Sequence, residues 1–221
     1  MPNQAGVFDV TVRVADDKGA STTQKFAIAV FDANAPLIIS KPVTDGFESI
    51  DYGYSVVAED PNGDQLVYSL LSAPAGMQID PDSGEISWTP TVKGDYPVTV
   101  LVGDGTYSTE QSFSIHIMTL TEADTKFQGI WNEMFQSLAN GDKEAGLQYF
   151  TDSARSRYEP VIDVLMPYMQ EIYTDAALPL RVSIIPDIAE YSVSKTIQGQ
   201  KKIFLIYFMR NQDGDWQIDS M

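Results

Sequence analysis

Two periodicities divide the chain. Over residues 6–30 apolar and polar positions alternate: Val10, Val12 and Val14 face one way and Thr11 and Arg13 the other. That period of two predicts strands with one covered face. Asp16-Asp17-Lys18-Gly19 is hairpin-turn chemistry between them. The same alternation returns over residues 94–117, with Gly103-Asp104-Gly105 at its turn. Between these stretches lie four short strand candidates, 54–58, 66–71, 77–79 and 85–88, separated by turns rich in Pro, Asn, Asp and Gly. Past Thr119 the period changes. Phe127, Ile130, Trp131, Met134, Phe135 and Leu138 recur at helical spacing. This predicts a helix over 122–140, with Thr121 as its N-cap and Asn140-Gly141 as its stop. Asp142 caps a short second helix. Asp152 or Ser153 opens a third, with Pro160 in its first turn and Pro167 splitting it. Four strands follow, at 180–185, 189–194, 203–209 and 216–220, the last two joined through Asn211–Asp215. The continuous apolar run Ile203–Met209 predicts a strand buried on both faces.

The two alternating stretches are copies of one pattern. Gly6 aligns with Gly94, Phe8 with Tyr96, and Val10, Val12 and Val14 with Val98, Val100 and Val102. After a one-residue gap, Phe26 and Ile28 align with Phe113 and Ile115. A spacing of about 88 residues suits tandem β-sandwich modules. Residues 1–33 are then expected to be the C-terminal hairpin of a truncated module, whose earlier strands lie upstream. Residues 34–118 form one complete sandwich, and residues 119–221 an α+β domain with helices on a curved antiparallel sheet.

Residues 36–118 resemble a bacterial "putative Ig" module related to dystroglycan-type cadherin-like domains. The resemblance is carried by four stretches in order: Ala58–Asp64 with Leu66–Leu70, Ala73–Ile79, Asp82–Pro90, and Gly94–Val100 with Val102–Gly105. It implies a secreted or surface-exposed bacterial protein, with repeated modules acting as spacers or in adhesion. Its partners would be the neighbouring Ig-like modules of a longer chain. Cadherin-like modules hold calcium where modules meet, and calcium takes six to eight oxygens. The resemblance places candidate ligands at Asp32 and Asn34 of the linker, at Asp60, Asn62 and Asp64 of one turn, and at Asp104. Ala35 interrupts the linker pattern, and the cadherin Asp-Arg-Glu element is missing. The same residues are also ordinary turn formers.

The C-terminal segment resembles the nuclear-transport-factor-two-like superfamily, a cone of curved sheet wrapped by helices. Leu138–Ala145 and Ile206–Asp219 carry the resemblance, chiefly apolar strand, Asp-Gly, Trp and Ile in that order. It implies a ligand, if any, inside the cone. The candidate pocket residues are Trp131, Tyr158, Tyr168, Tyr191 and Tyr207, which could equally fill the cone as core. Asp163, Asp187 and Asp219 match no catalytic motif. Arg155, Arg157 and Arg181 read as anion contacts or as salt-bridge partners.

Composition narrows the chemistry. Acids outnumber bases 31 to 14, a net charge of −17. The first 118 residues hold 16 acids against 5 bases, so the excess is heaviest in the β region. Such a surface argues against nucleic acid and anionic lipid and suits cations. There is no cysteine, which excludes thiol, disulfide and zinc–thiolate chemistry. The single histidine, His116, falls on the polar side of an alternating strand. No apolar run is long enough for a membrane helix. The expectation is a non-enzymatic surface protein with calcium at a module junction and a C-terminal domain that binds a partner. An apolar ligand held in the cone is the alternative; an isomerase or hydrolase working through a lone carboxylate comes third.

Overall fold

The computed structural model describes residues 6–30, 34–211 and 214–221. Strands β1 (Gly6–Ala15) and β2 (Ser21–Val30) form an antiparallel hairpin with unbroken register from Gly6↔Val30 to Ala15↔Ser21. Its turn is held by Asp16, whose Oδ1 accepts the amides of Lys18 and Ala20.

The sandwich follows. Its strands are β3 (Leu37–Ile38), β4 (Asp45–Phe47), β5 (Tyr52–Ser55), β6 (Ala58–Glu59), β7 (Val67–Ser72), β8 (Gln78–Ile79), β9 (Glu85–Trp88), β10 (Gly94–Gly103) and β11 (Ser108–Met118). One sheet has the order β4-β11-β10-β7, with β4 parallel to β11; the other has the order β5-β9-β8. Val98, Val100, Val102, Ile115 and Ile117 of the first pack with Tyr52, Tyr54, Ile86 and Trp88 of the second. Alternation along β9 and β10 puts these residues inward and their neighbours outward. The strand expected over 54–58 is two strands, because the chain changes partners there. β5 pairs with β9, whereas β6 pairs with β3. At the switch, the Val56 amide donates to Gly84 O. Gly84 has φ 74°, and a Cβ there would sit 2.6 Å from Val56 O. Glycine is therefore required at that crossing.

No linker separates the sandwich from the helical part. Helix α1 (Leu120–Ala139) begins two residues after β11. Its N-cap is Thr119 rather than Thr121: Thr119 Oγ1 accepts the Glu122 amide, and Glu122 reaches back to the Thr119 amide. This reciprocal pair satisfies two end donors at once, which Thr121 could not do with Asp124 in the same way. Helices α2 (Lys143–Leu147) and α3 (Asp152–Leu165) follow, then a 3-10 turn over Met166–Tyr168 and α4 (Met169–Thr174). Pro167 splits the third helical segment, as expected. Thr151 caps α3, and Pro160 lies in the interior of that helix instead of its first turn.

Strands β12 (Leu180–Ile185), β13 (Ile188–Ile197), β14 (Gln200–Arg210) and β15 (Trp216–Ser220) form an antiparallel meander. The core between helices and sheet contains Phe127, Trp131, Met134, Leu138, Tyr191, Ile206, Phe208 and Ile218. Phe47 and Met118 of the sandwich belong to the same core. β14 is not buried on both faces: Ile206 and Phe208 are buried, but Ile203, Phe204 and Leu205 are exposed. The first half of the apolar run is only partly covered: Phe204 faces Trp131, Phe135 and Ile172 of the helices across a cavity, and Ile203 and Leu205 are exposed.

Candidate functional site

The sandwich topology gathers acidic loops at one end. Asp60 follows β6, whose Glu59 pairs with Leu37, so the Asp60 turn adjoins the linker. Asp104 follows β10, whose Gly103 pairs with Val67, just after the same turn. Thr109 Oγ1 donates to Pro36 O at 2.5 Å, tying the start of β11 to the linker. Each loop is shaped by one carboxylate oxygen. Asp60 Oδ1 accepts the amides of Asn62 and Asp64, at 2.8 and 3.0 Å. Asp104 Oδ1 accepts those of Thr106 and Tyr107, both at 2.6 Å. The second oxygens, Asp60 Oδ2 and Asp104 Oδ2, are buried without a hydrogen-bond partner. Turn formation explains one oxygen of each and leaves the other unexplained. Asn62 and Asp64 are exposed, and Asn34 sits in the linker. Asp32 lies outside the described residues. Among the described residues, no group of three or more His, Asp or Glu is placed to hold a metal.

The five expected pocket residues do not share a cavity. Tyr191 is core: its ring packs on Phe127 and Phe208, and its hydroxyl donates to Asp124 at 2.8 Å. Burial first, then that hydrogen bond, pushes its pKa well above the usual phenol range. Tyr207 pairs with Glu190 across β13 and β14, on the sheet face opposite Ala189 and Phe208. Its hydroxyl donates to Glu190 at 3.0 Å. Tyr158 holds the C-terminus, exchanging hydrogen bonds with Met221, and Tyr168 is exposed. Trp131 lines a cavity of about 140 Å³ together with Phe135, Ile172, Val193, Lys195 and Phe204. Lys195 is paired with Asp175 at 2.7 Å. Phe127, Tyr191, Phe208, Trp216 and Phe47 fill the space between helices and sheet, the reading in which the aromatics are core. A 140 Å³ cavity falls below the roughly 300 Å³ at which ligand pockets begin.

The remaining candidates are ion-pair or surface residues. His116 is exposed on β11 and bonds Asp95 at 2.7 Å. Asp163 pairs with Lys143, Asp187 with Arg210, and Asp219 accepts from Thr151. Arg155 pairs with Glu144, and Arg181 with Asp124 and Leu120 O.

The polar cluster that sequence reasoning missed is at the domain junction. Asp45 of β4 is bonded by Lys126 of α1 and by Arg210 of β14. Arg210 is 4% exposed, stacks on Trp216 and also reaches Pro186 O and Gly214 O. Burial alone would raise the Asp45 carboxyl. The Arg210 and Lys126 charges and their hydrogen bonds outweigh it and hold the group below the usual carboxylate range. Asp45 and Arg210 lie 165 positions apart, so no local motif could have paired them.

Residues 35–118 match the family described as "Putative Ig domain". Together with the two-sheet sandwich, this makes them an Ig-like module. Among curated proteins, the chain is 41% identical over 56 residues to "Integrin beta-like protein A" of Dictyostelium discoideum, covering 23% of the chain and 3% of that protein. It is 27% identical over 106 residues to "Serine-rich adhesin for platelets" of Staphylococcus aureus, covering 47% and 8%. The chain thus spans less than a tenth of these relatives. Among solved structures, human protocadherin-24 EC1-2 is similar at 21% identity and TM-score 0.31, over 38% of the chain and 43% of that structure. No helix among the described residues is long and apolar enough to cross a membrane.

Proposed function

We propose that the chain is a segment of a bacterial surface or secreted adhesion protein. Residues 34–118 serve as a spacer module in a tandem array and residues 119–221 as a partner-binding domain. The likeness of part of the chain to segments of an adhesin and an integrin-beta-like protein supports the setting. In this reading the chain is non-enzymatic, and its C-terminal domain is nuclear-transport-factor-two-like, supported by the order of helices α1–α4 followed by a four-stranded meander. Calcium binds where the sandwich meets the preceding hairpin. The observation that carries this is the pair of buried, unpartnered oxygens Asp60 Oδ2 and Asp104 Oδ2. They fit a hard cation, which seeks anionic oxygen. Two carboxylates are too few alone, so Asp32, Asn34, Asn62 and Asp64 would supply the remaining side-chain donors. Bound calcium would neutralise the loops and fix the linker direction.

Thermal melting with and without calcium tests this. Extracellular modules bind calcium with Kd of about 0.1–1 mM. At about 10 mM calcium, binding to the native state alone gives about 1.4–2.7 kcal/mol. Asp60→Asn and Asp104→Asn separate the two roles, since an amide oxygen can still accept the turn amides but carries no charge. The calcium response should vanish in both variants while melting without calcium stays within about 0.5 kcal/mol. Identical melting of the unaltered protein with and without calcium refutes the site. A second reading, a small apolar ligand in the cavity beside Trp131, is supported by that cavity's aromatic walls and disfavoured by its size.

A further inference from the structure

The β1–β2 hairpin and the β10–β11 hairpin are the same object in two environments. Their registers correspond pair for pair. Phe8↔Ile28, Val10↔Phe26, Val12↔Gln24 and Val14↔Thr22 match Tyr96↔Ile115, Val98↔Phe113, Val100↔Gln111 and Val102↔Thr109. Gly6 and Gly94 have φ of 151° and 152°. Asp16 and Asp104 each hold their turn through Oδ1. The one-residue gap lies in the turn, which joins Ala15 to Ser21 in one hairpin and Gly103 to Ser108 in the other.

Their surroundings differ. Val100 and Val102 are 0% exposed beneath β5, β9 and β8, whereas Val12 is 45% and Val14 64% exposed. Gln111 reaches across the sandwich: it accepts from the Tyr54 hydroxyl at 2.8 Å and donates to Ser40 O at 2.9 Å. Gln24 occupies the equivalent position and is exposed. β10 also pairs along its outer edge with β7, and β11 with β4.

We infer that the apolar face of β1–β2 is a docking surface for the front half of another Ig-like module of this kind. That half is a sheet equivalent to β5-β9-β8, with edge strands equivalent to β7 and β4 and a tyrosine that meets Gln24. Such a partner uses β1 and β2 as its final strands. The apolar face asks for a facing sheet, Gln24 asks for a hydroxyl and a carbonyl opposite, and the bare edges ask for strands. A second copy of this chain does not meet these needs. Its own β5-β9-β8 sheet is already covered by its own hairpin, so it offers only another bare one.

The test places residues 34–93 directly before Gly6, in place of residues 1–5, so that this chain's own front half precedes β1–β2 with residues 6–221 unchanged. Chelator is present throughout, which separates the outcome from that of the calcium reading. The same extension carrying its own hairpin, residues 34–118, calibrates the readout as a tandem module. The expected result is a second protease-resistant, cooperatively melting unit. Val12→Asp should abolish that unit, yet leave the melting of the 221-residue protein within 1 °C of the unaltered chain. An inserted front half that stays protease-sensitive while the calibrating module folds overturns the inference. So does concentration-dependent self-association of the 221-residue protein that Val12→Asp removes, since the face would then take a second copy.

Discussion

Replacing Asp45 by Asn tests whether the sandwich and the C-terminal domain are energetically one body. The change keeps shape and removes charge. It leaves Arg210, 4% exposed, without its closest counter-ion. Breaking a buried ion pair from one side costs about 3–5 kcal/mol, because the orphaned charge remains buried. Here the lower end applies, about 3 kcal/mol. Arg210 keeps Asp187 at 3.3 Å, the backbone carbonyls of Asp45, Pro186 and Gly214, and the face of Trp216 at 4.5 Å. For a chain of this length, 3 kcal/mol is a drop of roughly 6–12 °C in Tm. Lys126, 34% exposed, is the wetter partner, and Lys126→Met should cost about 1 kcal/mol or less.

The assay is urea unfolding of Asp45→Asn, Arg210→Met, Lys126→Met and the Asp45→Asn/Arg210→Met double variant. The double variant removes both buried charges and strands only the wetter Lys126 and Asp187, so it should lose less than the sum of the singles. The pH profile gives an independent check. Asp45 is held below the ordinary value of 3.8 in the folded protein. Its stabilisation is therefore complete above the unfolded value and is lost as pH falls through the lower folded one. Asp45→Asn should remove that portion of the acid sensitivity. A loss under 0.5 kcal/mol in Asp45→Asn, or a greater cost for Lys126→Met than for Arg210→Met, refutes the reasoning.

Phe47→Ala should cost about 3–5 kcal/mol and expose amides of α1 and β15 to hydrogen exchange, although Phe47 is a sandwich residue, because its ring lies 6.2 Å from Phe127 and 5.9 Å from Trp216. Gly146→Ala should destabilise by about 1–3 kcal/mol despite alanine's better helix propensity, since its Cβ would fall 2.5 Å from buried Leu138; in denaturant melts the Gly146→Ala/Leu138→Ala double variant should lose less than the sum of its two singles. Glu122 is held down to about 2, first by Lys93 and then by the amide and hydroxyl of Thr119. Its support of α1 should be complete above the ordinary value of 4.5 and fall away as pH drops towards 2, a trend that Glu122→Gln should flatten in a pH series of urea titrations.

What could be read from the sequence was local or periodic. The hairpin repeat is a matter of spacing and parity, so the aligned residues Val10 and Val98 occupy equivalent registers in the fold. The helix carrying Phe127 and Leu138 has one apolar stripe, and that stripe is buried. The errors arose where tertiary packing chose between equal local options. Ile203–Met209 is apolar at every position, so its pattern could not reveal that cover ends near Leu205. Tyr207 and Phe208 are both aromatic, and only strand parity after folding sends one outward and the other into the core. The capping box at Thr119 and Glu122 is written in the sequence as a Thr and a Glu three apart, but Thr121 and Asp124 offer the same spacing of a hydroxyl and an acid. Asp45 had no sequence signal at all: it is an acid in a short strand, and its partners come from a helix and a strand of the other domain.

The two ends of the sandwich are built on different physics. At its C-terminal end, Phe47 and Met118 enter the neighbouring core, and Asp45 is clamped by two cations. Apolar burial there is insensitive to salt, and the Arg210 pair is largely shielded from it. That junction should therefore hold a fixed angle over a wide range of ionic conditions. At the opposite end the pairing strands are two residues long, β3 with β6, and the loops beyond them carry Asp60, Asp64 and Asp104. Like charges gathered on short loops repel unless something neutralises them, and the repulsion depends on ionic strength.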